Sequence, residues 1–115
     1  MYMKDNTHLL KNIVLYCNRI EECVSGFGRD EDEFMNNWRV QYICSFCVFQ
    51  IGENVKSLSK ELTKEYPEIK WREIAGTRDI IAHGYEWIDL ETLWFSITEE
   101  VPTLRDTCER IMRES

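Results

Sequence analysis

Two prolines and five glycines in 115 residues leave few places where a helix is forced to stop. Strand signals are nearly absent: there is no long alternating run and no Asn-Gly hairpin turn. No apolar run approaches the roughly 20 residues a membrane helix needs. The longest, Tyr42 to Ile51, is interrupted by Ser45 and Gln50. Met1 to Asn6 is polar and no apolar leader segment follows, so a cytoplasmic location is expected. Positive charge is also short. Lys and Arg number 14 against 21 Asp and Glu, a net charge of −7. That argues against non-specific coating of DNA, which needs a basic face, and leaves room for a local phosphate site built from a few arginines. The five cysteines, Cys17, Cys23, Cys44, Cys47 and Cys108, are odd in number, and nothing points to secretion. Reduced thiols are expected rather than a disulfide framework.

What is present is apolar and helical. Hydrophobic residues make up 43% of the chain, including four Trp, five Tyr and five Phe, enough for a core in one domain spanning 1–115. A first helix is predicted from about Thr7 to Val24, with Leu10, Ile13, Val14, Cys17, Ile20 and Val24 on one stripe. The stretch SGFGRD at 25–30 breaks it. A second helix is predicted from Asp30 or Glu31 to about Tyr66, with a bend near Gly52. Its middle is apolar around most of its circumference, so one side should face the first helix and another a partner subunit. Asp30 to Glu33 fits a solvated helix start or a contact for a basic partner. Pro67 ends that element. A third helix is predicted from Trp71 to His83, a fourth from near Asp89, and a last from Thr103 to Arg113, restarted by Pro102. The expected architecture is all-α: an antiparallel bundle of about five helices.

The stretch RDIIAHGYEW at 78–87 carries the chemistry. On a wheel of about 100° per residue, Trp71, Ile74, Ala75, Ile81 and Ala82 cluster on one side, with Arg78 among them. A buried, unpaired arginine is strongly unfavourable. Its side chain must reach a carboxylate, snorkel outward, or line a cleft or subunit interface. Asp79 lies four residues before His83 and can orient the ring and support its charge. His83 also sits just before Gly84, where the helix dipole favours imidazolium. Arginine can hold phosphate oxygens and histidine can move protons near neutral pH, a pairing suited to phosphodiester cleavage in RNA. The 2′-hydroxyl is the nucleophile there, so no metal or other cofactor is expected.

RDIIAHGY resembles the R-x4-H-x-Y motif of HEPN-domain ribonucleases of the HepT-like kind. QIGENVKSLSKEL at 50–62, the block YPEIKWREIAGTRDIIAHGYEWID at 66–89 and LWFSITEEVPTLRDTCERI at 93–111 are similar to further segments of that family. The resemblance implies a homodimeric helical bundle with a composite, metal-independent ribonuclease site at the dimer cleft. It carries over Arg78 and His83 as catalytic residues and Asp79 beside them, where many members have Asn. Glu53 matches a recurrent Gly-Glu pair and is expected near the cleft. Tyr85, by itself readable as a core aromatic, becomes the acceptor of AMP from an MntA-like minimal nucleotidyltransferase antitoxin. The protein would thus be the toxin of a type VII-like toxin–antitoxin pair acting on RNA. The alternative is a non-catalytic helical binding subunit of a nucleotidyltransferase complex.

Three other features are weighed. CSFC at 44–47 lacks a second ligand pair and is read as core packing, against a zinc or dithiol protein. His8 is expected at the surface. Trp38, Trp71, Trp87 and Trp94 fit packing better than base stacking, with Trp87 beside the motif.

Overall fold

Apolar residues at every third or fourth position build the first helix and give it one buried face. The computed structural model describes residues 3–26, 30–76 and 89–114. Helix α1 is Met3–Ser25, and Leu10, Ile13, Cys17, Ile20 and Val24 are buried along it. Val14, on the margin of that stripe, is half-buried. Helix α3, Trp38–Ser57, lies antiparallel on α1, since Asn6 meets Ser59, Asn12 meets Asn54 and Tyr16 meets Phe46. Helix α7, Val101–Glu114, lies antiparallel on another side of α1, where Arg105 pairs with Glu21. The side chains of α1, α3 and α7 interlock in one apolar core. No strand occurs among the described residues, and the fold is the all-α bundle that the periodicity implies.

The second predicted helix is three helices. Helix α2 is Glu31–Met35, α3 follows from Trp38, and α4 is Lys60–Glu65. Polar side chains make the breaks. Asn36 donates to the Asp32 carbonyl at 2.8 Å, and Asn37 caps α3 by accepting from the Val40 N–H at 3.2 Å. At the second break, Ser59 caps α4 by accepting from the Leu62 N–H at 3.3 Å. Asn6, buried at the start of α1, accepts from the Ser59 N–H at 3.0 Å and donates to its hydroxyl at 2.9 Å. At Gly52, where a bend is expected, α3 runs on without a break in the helix, and Gly52 is buried.

Helix α5 begins at Trp71 and is described over 71–76. The remainder of the predicted third helix lies outside the described residues. Helix α6, Leu90–Phe95, starts one residue after Asp89, as expected, and buries Leu93. It runs through a π-turn, Ser96–Glu100, straight into α7. Pro102 therefore does not restart a helix. The Val101 N–H reaches five residues back to the Ser96 carbonyl, which widens the helix just ahead of the proline. Pro102 brings no N–H to the ladder, and the wider turn relieves the clash of its ring with the preceding turn.

Candidate functional site

Arg78, Asp79, His83 and Tyr85 lie outside the described residues, as do Trp87 and the remainder of the 77–88 stretch. What the structure describes is how both flanks of that stretch are fixed. On the N-terminal side, the Trp71 indole N–H donates to the Tyr66 carbonyl at 2.8 Å, closing the turn around Pro67. The Tyr66 hydroxyl bonds Glu114 Oε1 at 3.0 Å, and the Arg110 guanidinium stacks over the Tyr66 ring at 5.5 Å. Arg110 also pairs with Glu68. Glu68's carboxyl is held below the usual range, first by its own backbone N–H and then by Arg110. The turn is thus tied to the last two turns of α7. Trp71 is buried, and Ile74 and Ala75 pack against the core, so α5 sets out with its apolar face inward as the wheel predicts.

On the C-terminal side, Asp89 caps α6. Its Oδ1 accepts from the N–H groups of Glu91 at 3.0 Å and Thr92 at 3.4 Å, while Oδ2 accepts from the Thr92 hydroxyl at 2.9 Å. These bonds favour the carboxylate and lower its pKa, the Thr92 side chain most of all.

Glu53 lies on the outward side of α3, where α1 and α3 leave a groove of about 520 Å³. Leu9, Asn12 and Tyr16 of α1 face Phe49, Gln50, Glu53, Asn54 and Ser57 of α3 across it. Glu53 Oε1 is shielded from solvent. Asn12 donates to Asn54 Oδ1 at 3.3 Å, and Asn54 donates to the Gln50 carbonyl at 2.7 Å. Sequence reasoning singled out Glu53 but not the amides around it. Gln50 was visible only as an interruption of an apolar run. Its i,i+4 relation to Asn54 was the available signal.

Toward the N-terminus of α3 the same side turns apolar. Trp38 is 58% exposed, Tyr42 64% and Phe46 48%. Residues at such i,i+4 steps share one helix face. Trp38 and Tyr42 meet edge to face at 5.6 Å, and Phe46 meets Tyr16 at 6.1 Å. Trp38 therefore lies outside the core of its own chain. Its ring has the Arg39 guanidinium 5.0 Å from the centroid. Trp71 is buried and Trp94 is half-buried against Phe34 at 5.1 Å.

The cysteines are core residues. Cys44 and Cys47 are buried free thiols, pushed up by burial to about 12 and about 11, the reverse of what a reactive or metal-bound thiolate requires. Among the described residues no three His, Cys, Asp or Glu side chains are grouped to hold a metal. No helix among them is long and apolar enough to cross a membrane. His8 is exposed.

Comparison with known proteins adds the identity of the scaffold. The sequence model described as ribonuclease HepT-like matches residues 13–111. A protein of Caldanaerobacter subterraneus, provisionally named as an RNase, is 36% identical over 97% of this chain and 98% of its own length. A Methanocaldococcus jannaschii protein with a similar provisional RNase name is 35% identical over 74% of this chain and 73% of its own. A Thermococcus cleftensis protein provisionally named ribonuclease HepT is 29% identical over 80% of this chain and 86% of its own. No solved structure matches the chain. The match of the family model over most of the sequence, with one relative aligned nearly end to end, shows that the chain belongs to the ribonuclease HepT-like family.

Proposed function

We propose that this protein is the toxin of a toxin–antitoxin pair, a metal-independent endoribonuclease acting as a homodimer. The observation that carries this reading is the single outward side of α3. Exposed Trp38, Tyr42 and Phe46 at one end give way to Gln50, Glu53 and Ser57 at the other. Exposed aromatics in register along a helix are costly unless another surface covers them. A second copy seated there leaves a polar cleft at its margin, beside Glu53. That is the setting the composite site of Arg78 and His83 calls for.

In the proposed reaction the 2′-oxygen of RNA attacks the adjacent phosphorus and the 5′-oxygen leaves, giving a 2′,3′-cyclic phosphate and a free 5′-hydroxyl. Arg78 binds the phosphate and stabilises the charge that builds on its oxygens. His83 transfers the proton, and Asp79 orients its ring. Control falls to Tyr85. Its phenolic oxygen attacks the α-phosphorus of ATP on a nucleotidyltransferase antitoxin, pyrophosphate leaves, and the phenol proton passes to solvent. The added phosphate brings negative charge and bulk to the site and repels RNA.

The test is cleavage of RNA by purified protein in EDTA, with His83→Ala as control. Cleavage that persists in EDTA and disappears in the variant supports the reading. Equal cleavage by parent and variant overturns the mechanism, and no cleavage by either leaves the chain a binding subunit. Intact mass after expression with the neighbouring nucleotidyltransferase tests the control step. The expected gain is a multiple of one AMP, lost in Tyr85→Phe.

A further inference from the structure

The groove between α1 and α3 has a composition unlike a phosphate site. Among its described lining residues there is no Lys, Arg or His, and the one charged group is the carboxylate of Glu53. Such a lining repels a phosphate. What it offers instead is three carboxamides, Asn12, Gln50 and Asn54, the hydroxyls of Ser57 and Tyr16, and the rings of Tyr16 and Phe49 beside Leu9. The amides are placed, not random. Asn12 is tied to Asn54 across the helices, and Asn54 is tied back to the Gln50 carbonyl. Holding the two asparagines leaves the Gln50 amide, one turn away on the same helix, to meet a ligand edge. A flat, uncharged ligand with paired donors and acceptors fits this surface, and about 520 Å³ lies within the range of small-ligand sites.

We infer that this groove is a nucleobase subsite that reads an adenine of single-stranded RNA. The inference rests on the ribonuclease reading above for its substrate class. A carboxamide meets adenine with two bonds at once, its oxygen accepting from the N6 amino group and its amide donating to N7. Tyr16 supplies the stacking face, and stacking is how single-stranded RNA is held without gripping its backbone. The carboxylate of Glu53 turns the phosphates outward, away from the groove. Cleavage should therefore favour sites next to adenine.

The test uses 2′-O-methyl octanucleotides of A, U and C, which lack the nucleophile and stay intact on the active protein. Binding is measured by fluorescence anisotropy for the parent and for Gln50→Glu, Tyr16→Phe and Tyr16→Ala. The expected result is tighter binding of the A oligomer by about fivefold or more, reduced when Gln50→Glu exchanges a donor for an acceptor. Tyr16→Ala should weaken the A oligomer by about fivefold or more while Tyr16→Phe binds like the parent. Equal affinity for the three oligomers, no binding of any, or an A preference untouched by Gln50→Glu and Tyr16→Ala overturns the subsite. Cleavage of ordinary RNA is assayed separately. Adenine-selective binding without cleavage keeps the subsite and removes the ribonuclease reading, whereas cleavage without base preference does the reverse.

Discussion

At Asn6 a single carboxamide joins two elements 53 positions apart in sequence. It is buried, and both its donor and its acceptor are engaged by Ser59. Asn6→Ala removes both bonds and leaves the half-buried Ser59 polar groups without them, so a loss of about 1–3 kcal/mol is expected by urea unfolding. A change below a few tenths would mean the bonds are not held in solution. Asp89 is a second local device. Its lowered pKa means the cap contributes above the ordinary value of 3.8 and is lost as pH falls through the depressed folded value. Asp89→Asn should therefore flatten the loss of stability below pH 3.8, read from thermal unfolding across acid pH. At the proposed catalytic positions, Arg78→Ala and His83→Ala should each lower cleavage by about 100-fold or more, with circular dichroism unchanged.

The helices show how polar residues subdivide what apolar spacing leaves continuous. From 31 to 65 the sequence reads as one long helix, yet Asn37 and Ser59 each cap a new start. Both are good N-cap residues, but the second cap is completed only by Asn6 from a distant helix. The cysteines behave as an element-scale group. Cys17, Cys44, Cys47 and Cys108 lie in the interior of α1, α3 and α7, and burial raises all four thiols. The sign follows directly: their neutral forms support the fold below the ordinary value of 9.0, and that support fades as pH rises toward 11–12. At pH 8 a thiol reagent should label half-buried Cys23 first, with the other four reacting only after denaturation. Rapid labelling of Cys44 and Cys47 in the folded protein would show that α3 opens there.

For the whole molecule, the decisive surface is the outward side of α3. Tyr42→Asp together with Phe46→Asp should yield a folded monomer by light scattering and abolish cleavage if the site is composite. A monomeric variant that still cleaves RNA would separate the fold from the dimer cleft. The two flanks of the 77–88 stretch lie on the same bundle, one tied to the end of α7 and the other starting α6. The described flanks on either side of it are themselves fixed by ionic and capping contacts.

The sequence alone determined the helical class, the inward face of α1, the start of α6 at Asp89 and the structural nature of the cysteines. Each depends on the spacing of residues within a few turns, which is where helical periodicity and capping act. The motif of Arg78, Asp79, His83 and Tyr85 was legible as a pattern of residue types, because its chemistry lies in those types. Only the tertiary structure decided where α3 and α4 part, because Ser59 is fixed by Asn6, and that Pro102 lies within a continuous helix, because a π-turn makes room for it. It also decided that Trp38 is exposed and that Asn12, Gln50 and Asn54 gather around Glu53. Those outcomes depend on which helix lies against which, and on the polar bonds made across that contact, neither of which the periodicity of a single helix encodes.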